Sequence, residues 1–186
     1  PGPDDGALRA TADVQYGFSS GLTGTLGTAW YERFGTRHWL ATSGLRTGLA
    51  GFAVRLDAGL ADGGGRALGL GLARKIAGFS VTLNHAEYGG RFVDEVRSYS
   101  DQPLRRLTEM AFNGAIHLGG AGSSFILPTN GLVRNVAFAD GRRVLAASVN
   151  QTVPLSRALQ LSNLVEFNRT SQPLFGTTTQ LRGAFD

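Results

Sequence analysis

The sequence of 186 residues is 42% hydrophobic and only 17% charged, with 27 glycines and no cysteine. Glycine is about twice as frequent, and charge about one third less frequent, than in an average globular domain. This composition excludes a disulfide-stabilised mini-protein, a thiolate metal site and a disordered acidic segment. The net charge of +4 comes from arginines spread along the chain rather than from a basic run, so we expect no nucleic-acid partner.

The first patterned segment, 8–18, alternates with a period of two. Its even positions, from Leu8 to Phe18, are all apolar, and its odd positions are polar or glycine. A strand sends alternate side chains to opposite faces, whereas a helix would mix the two sets. The same alternation returns along the chain, at 52–61, 79–84, 107–118 and 159–168. The sequence therefore predicts an all-β fold made of two-faced strands.

Turn residues divide the chain into eleven predicted strands of mostly 10–14 residues. In chain order they are 8–19, 22–34, 37–48, 52–62, 66–75, 78–88, 104–118, 124–138, 143–153, 157–169 and 175–185. Strands of soluble domains usually have about five or six residues, whereas a tilted membrane-spanning strand needs about 9–11. We therefore expect an antiparallel up-and-down meander of about 10–12 strands that forms a transmembrane β-barrel or part of one. Residues 1–186 would be a single domain, with 1–7 as an extended lead-in.

The predicted connections differ between the two ends of the strands. Tight turns that contain glycine are expected at 19–21, 49–51 and 76–78. Longer or more polar connections are expected at 35–36, 62–65, 89–103, 140–142 and 170–174. Short turns at one end and longer loops at the other are typical of bacterial outer-membrane barrels, whose strand number is even. Because eleven is odd, either the predicted strand number is wrong by one or the chain is a segment of a larger barrel.

The apolar positions carry aromatic residues, many of them near strand ends: Tyr16, Phe18, Trp30, Phe34, Trp39, Phe52, Phe79, Phe167 and Phe185. Barrels in the outer membrane have girdles of aromatic side chains at both bilayer interfaces. In hydrocarbon, a β-sheet survives only when its backbone groups are paired internally. The sequence therefore favours a lipid bilayer as partner of the apolar face and the bacterial outer membrane as location.

Three segments resemble hairpins of large proteobacterial outer-membrane barrels: Tyr16–Gly24, 78–83 and 104–119. The family that they resemble is the fimbrial usher barrel, together with usher-like barrels. Ushers secrete and assemble pilus subunits through a large barrel that a plug domain gates. No plug-length insertion interrupts the predicted strands, so the resemblance implies the barrel wall alone, which would serve as a pore or as a scaffold for a translocated polypeptide or small solute.

Charged residues on the polar positions are the candidate lumen-facing groups. They are Arg9, Asp13, Arg55, Asp57, Glu109, Glu166 and Arg182. In a wide pore such residues tune selectivity, whereas in a small barrel they pair across the interior. Arg55 and Asp57 are two residues apart, so we expect them to be neighbours on one face.

The three histidines, His38, His85 and His117, lie in different predicted strands without the spacing of metal ligands. We expect no metal, no cofactor and no catalytic site. Two other readings stay open. The chain could be a soluble, surface-exposed binding or adhesin module, or a barrel-embedded hydrolase that uses His85 or His117.

Overall fold

The computed structural model describes residues 9–33, 35–90, 92, 103–118, 125–155, 159–170 and 173–183. Eleven strands account for most of them. They are β1 (Arg9–Ser19), β2 (Leu22–Arg33), β3 (Thr36–Leu49), β4 (Phe52–Ala61), β5 (Gly65–Ile76), β6 (Phe79–Gly89), β7 (Leu104–Leu118), β8 (Phe125–Phe138), β9 (Arg143–Pro154), β10 (Leu159–Arg169) and β11 (Pro173–Gly183).

The strands form one antiparallel sheet in which each strand pairs with its neighbour in sequence, from β1 to β11. The predicted all-β up-and-down meander is confirmed. Within the described residues the sheet is not closed, because β1 and β11 form its two edges. Since neighbouring strands alternate in direction, β1 and β11 run the same way, and direct pairing between them would be parallel.

Every predicted strand is present, and within the described residues no strand end differs from its expected position by more than two residues. The start of β11, expected at 175, is found at Pro173, whereas the predicted strand residues 157–158 and 184–185 lie outside the described residues. The alternation of apolar and polar residues extends to the turn residues, which is why the sequence places the ends so closely. The predicted lead-in at 1–7 lies outside the described residues.

Two tight turns have the backbone of a type I′ hairpin. Ala50-Gly51 joins β3 to β4, with φ of 50° and 78°, and Ala77-Gly78 joins β5 to β6, with φ of 50° and 85°. Positive φ at both central residues matches the right-handed twist of the paired strands. We call the end of the sheet that holds these turns the hairpin end, and the opposite end the loop end.

Two loop-end connections agree with the sequence prediction to within one residue. The connection expected at 35–36 lies between Arg33 and Thr36, and the connection expected at 62–65 is a three-residue 3₁₀ turn, Asp62–Gly64. Both are short because the two-faced pattern of each strand continues up to the turn. The longest connection at this end is 90–103, between β6 and β7.

The sheet is a single layer among the described residues. Close contacts join each strand to its neighbours in sequence, apart from a contact of β3 with the 3₁₀ turn and two weaker ones. Only two described hydrophobic residues are buried, Tyr31 at 7% and Ala61 at 4% exposure. The strands are therefore held by backbone pairing and by cross-strand side-chain pairs rather than by a second layer.

The part of the chain that the structure describes contains no helix that is long and apolar enough to span a membrane.

Candidate functional site

The register of the sheet assigns each paired residue to one of two faces. Directly opposed residues of antiparallel strands share a face, and successive residues alternate. We define the apolar face as the face that carries Val14 of β1, and the polar face as the face that carries Asp13. Val14 pairs with Leu26, and Leu26 pairs with Ser43, so the assignment can be followed from strand to strand across the sheet.

The apolar face exposes large hydrophobic side chains over most of its width. Val14 and Leu26 are each 66% exposed, and Leu68 is 65% exposed. Others on this face that are exposed are Tyr16, Phe18, Trp39, Leu45, Leu49, Leu56, Leu60, Ile76, Met110, Val149 and Val165. In β5 the apolar run of this face lies between Arg66 and Arg74.

Aromatic residues of the apolar face lie near both ends of the strands. Trp30 and Trp39 oppose each other near the loop end, and the guanidinium of Arg37 lies 5.6 Å from the ring centroid of Trp30. At the hairpin end, the guanidinium of Arg74 lies 4.9 Å from the ring centroid of Phe52. The register also places the other predicted girdle residues within the described part on this face, namely Tyr16, Phe18, Phe79 and Phe167. Phe34 and Phe185 lie outside the described residues.

All seven candidate lumen charges occupy register positions of the polar face. They are Arg9 and Asp13 on β1, Arg55 and Asp57 on β4, Glu109 on β7, Glu166 on β10 and Arg182 on β11. The side chain of Arg182 lies outside what the structure describes. The prediction that these residues share one face therefore agrees with the backbone register, whereas their contact with a lumen stays a prediction.

The polar face carries ion pairs between arginine and carboxylate side chains. Nε of Arg55 is 2.8 Å from Oδ2 of Asp57, within β4. Nε and Nη2 of Arg134 on β8 lie 2.8 Å and 2.7 Å from Oε2 of Glu109 on β7. The sequence did not single out Arg134, because apolar residues fall on both faces of β8 and obscure its alternation.

Glycines on the polar face make room for these polar side chains. A Cβ at Gly44 would lie 2.9 Å from Oδ1 of Asp57 and 2.6 Å from Oγ1 of Thr25. A Cβ at Gly27 would lie 2.7 Å from Oγ1 of Thr42. The polar side chains thus lie low over the backbone of neighbouring strands. They border a hollow of about 690 Å³, whose lining includes Asp13, Gln15, Arg46, Arg55, Asn84 and Glu109.

An aromatic side chain lies over the polar face near the loop end. Phe92 follows β6, and its ring atoms lie 3.1 Å from the position that a Cβ would take at Gly59. The ring centroids of Phe92 and Tyr88 are 5.9 Å apart. Phe92 is also part of the lining of the polar hollow.

The three histidines occupy separate surroundings. On the polar face, Nδ1 of His38 lies 2.7 Å from Oδ2 of Asp62. On the apolar face, Nδ1 of His85 hydrogen-bonds Oγ1 of Thr108 at 2.8 Å, and Nε2 of His85 lies 3.7 Å from Oε1 of Glu87. His117 is exposed. No group of three or more metal-ligating side chains occurs among the described residues.

The turn between β8 and β9 holds a local ion pair at the loop end. The backbone N–H of Arg142 donates to Oδ1 of Asp140 at 3.0 Å, and its Nε lies 2.6 Å from Oδ2. The backbone donor and then the guanidinium favour the ionised carboxylate, which lowers the pKa of Asp140 below its ordinary value.

Comparison of the chain with protein-family models gives no match, and comparison with curated protein sequences gives none either.

Proposed function

We propose that this chain forms wall strands of a bacterial outer-membrane β-barrel, with its apolar face toward lipid and its polar face toward the lumen. The observation that carries the proposal is the exposed apolar face, opposite a face that bears charged side chains. A monomeric soluble protein rarely exposes a contiguous apolar patch of more than a few hundred Å². Against lipid hydrocarbon, exposed apolar side chains carry no free-energy penalty of contact with water, and the outer surface of an outer-membrane barrel is apolar for this reason.

The height of the apolar face supports the same proposal. Trp39 lies near the loop end of β3, and Leu49 is ten residue steps further, at the hairpin end. At about 3.3 Å per residue the segment is about 33 Å long. At a tilt of about 40° its projection on the membrane normal is about 25 Å, which is the height of the apolar band of outer-membrane barrels.

The polar face supports a lumen-facing role for the seven candidate charges. In bacterial barrels the interior is polar and the outer surface apolar, so the two faces of one strand differ in the way seen here. The wall would serve as a pore or as a scaffold for transport, with a small solute or a translocated polypeptide as the partner on the polar side. The resemblance to usher barrels favours the polypeptide.

The experiment that tests the proposal compares the chain with and without detergent. We expect aggregation in plain buffer and, in detergent, a monomer with the circular dichroism of strands. A folded barrel also migrates differently on a gel before and after boiling. A folded monomer in plain buffer would overturn the proposal and favour the soluble binding or adhesin module, because the apolar face would then have to pack against other protein.

A second measurement separates a pore from a scaffold. The chain would be reconstituted in a planar bilayer, and its ion conductance and cation-to-anion permeability ratio would be measured. If the polar face lines an open lumen, Asp13→Lys shifts permeability toward anions, because Asp13 borders the polar hollow. Absence of conductance in the folded chain favours the scaffold.

A further inference from the structure

Arginines border the apolar face at the loop end. Arg37, Arg66, Arg106 and Arg143 lie within the first three residues of β3, β5, β7 and β9, and Arg169 is the last residue of β10. The register places all five on the apolar face. We call these five residues the arginine rim. All five side chains are exposed.

The arginine rim is confined to one end of the sheet. At the hairpin end, Arg74 is the one basic residue on the apolar face among the described side chains. Among the described side chains, the apolar face carries two acidic residues, Glu32 and Glu87. Both lie toward the loop end. Five arginines against two glutamates leave an excess of positive charge along this edge of the apolar surface.

Part of the arginine rim has no carboxylate partner. Glu87 pairs with Arg106, with Oε1 2.8 Å from Nη2 and 3.0 Å from Nε. Among the described residues, no carboxylate lies within ion-pair distance of Arg66, Arg143 or Arg169. The neighbouring Arg142, by contrast, is paired with Asp140. Three guanidinium groups of the rim therefore keep their donors available for an external anion.

The spacing of the rim allows several anions to bind side by side. Arg106 and Arg143 both pair with Ala137 of β8, so these two are about 9–10 Å apart across the sheet. Arg66 is two residues closer to the loop end than Arg106, and Arg37 is four residues closer than Arg66. A guanidinium binds phosphate through two parallel hydrogen bonds, and its aliphatic stem can lie on apolar surface while its head reaches the interface. The side chain of Arg66 lies across Gly89 in this manner.

A shallow hollow of about 910 Å³ is lined mainly by side chains of the apolar face, including Tyr16, Leu45, Leu56 and Leu70. None of the five rim arginines lines it, but Glu87, which pairs with Arg106, does. Apolar side chains next to exposed guanidinium groups suit an amphiphile with hydrocarbon chains and an anionic head.

We propose that the arginine rim binds the phosphate groups of anionic lipids in the leaflet at the loop end. This inference rests on the proposed function, because it requires the apolar face to lie against a bilayer. Beyond the proposed function, the inference names the class of lipid that the wall binds and the end of the strands at which it binds.

The two tryptophans of the chain provide the measurement, since Trp30 and Trp39 both lie on the apolar face near the loop end. The chain would be folded into vesicles of phosphatidylcholine with an equal part of phosphatidylglycerol. Quenching of tryptophan fluorescence by brominated phosphatidylglycerol would be compared with quenching by brominated phosphatidylcholine. We expect the anionic lipid to quench at a severalfold lower mole fraction.

Arg66→Gln should reduce this preference by roughly fivefold, the effect of removing one basic residue at an anionic surface. The matched control is Arg74→Gln, which removes the same charge from the same face of the same strand at the hairpin end. It should leave the preference unchanged. Equal effects of the two substitutions, or equal quenching by both lipids, would overturn the inference.

The outcomes keep the inference separate from the proposed function. A chain that folds in vesicles but quenches equally with both lipids loses the lipid assignment and keeps the membrane wall. A chain that folds in plain buffer and does not insert loses both. If inorganic phosphate added at the same concentration as the lipid headgroups abolishes the preference, the rim binds the free ion, and the lipid assignment fails.

Discussion

The apolar and polar faces share one backbone, but different kinds of side chain lie over the glycines of each face. On the apolar face, Gly24 and Gly131 lie beneath the rings of Phe18 and Phe112. On the polar face, Gly44 lies beside Asp57 and Thr25. In both cases the missing Cβ lets a side chain from the next strand lie flat on the sheet. Aromatic rings thus lie over Gly24 and Gly131 of the apolar face, and hydroxyl and carboxylate groups lie over Gly44 of the polar face. Phe92 over Gly59 and Arg66 over Gly89 are the exceptions.

The two faces also differ in where their charged residues lie along the strands. The polar face carries charges along the full length of its strands, whereas charges of the apolar face lie toward the strand ends. Mid-strand positions of the apolar face in β3 to β5, such as Leu45, Leu56 and Leu70, are uncharged. The comparison therefore predicts that an added charge is costly on one face and tolerated on the other.

The largest expected effect comes from an arginine placed on the apolar face of β3. Leu45→Arg should lower the free energy of unfolding in a bilayer by about 2–4 kcal/mol, because the guanidinium would lie near mid-membrane. Urea unfolding in vesicles, followed by tryptophan fluorescence, measures the change. Thr42→Arg, three residues away on the polar face, is the control and should cost far less. A change of no more than about 0.5 kcal/mol in both variants, the usual effect of a substitution on a water-exposed surface, would contradict the membrane assignment.

A smaller effect is expected where aromatic rings cover glycine. Gly131→Ala places a methyl group against the ring of Phe112, so the ring must move, and we expect a loss of about 1–2 kcal/mol. Gly17→Ala is the control, because no neighbouring atom lies within 4 Å of its Cβ position. It should be neutral or slightly stabilising, since alanine has less conformational freedom to lose on folding. If the two variants lowered the free energy of unfolding equally, the contact of Gly131 with the ring of Phe112 would not be the cause.

The ion pair of the polar face should contribute less still. A double-mutant cycle with Glu109→Gln and Arg134→Gln measures the coupling between these side chains, which we expect to be about 0.2–1 kcal/mol. The coupling should fall as salt is added, because both groups contact water in the proposed lumen. A coupling of several kcal/mol that salt does not change would indicate a closed, dry interior on this face.

The smallest effect is expected in a hairpin turn. Ala77 has a φ of 50°, a region that asparagine adopts more readily than alanine. Ala77→Asn should therefore raise the free energy of unfolding by about 0.5 kcal/mol, measured by the same urea titration. Gly78→Ala is the opposite test, since its φ of 85° is unfavourable for a side chain, and it should destabilise the chain. Stabilisation by both variants would contradict the type I′ assignment.

The sequence determined the strands and their faces because alternation is a local property of extended backbone. Because successive side chains of a strand alternate, Asp13 and Val14 lie on different faces of the sheet, whichever strand pairs with β1. Where alternation weakens, as in β8, the sequence still indicates a strand but not which residues share a face. Leu132 and Val136 occupy register positions of the same face as Arg134, which is why that arginine was missed.

Only the tertiary structure decided which side chains meet, because register joins residues that are far apart in sequence. Glu109 and Arg134 are 25 residues apart, and His85 and Thr108 are 23 apart. The arginine rim required the same information, since its five members lie on five different strands and come together at the loop end only when β3 to β10 are paired in order. Local periodicity thus fixed the two faces of each strand, and hydrogen-bonded pairing between strands joined them into surfaces.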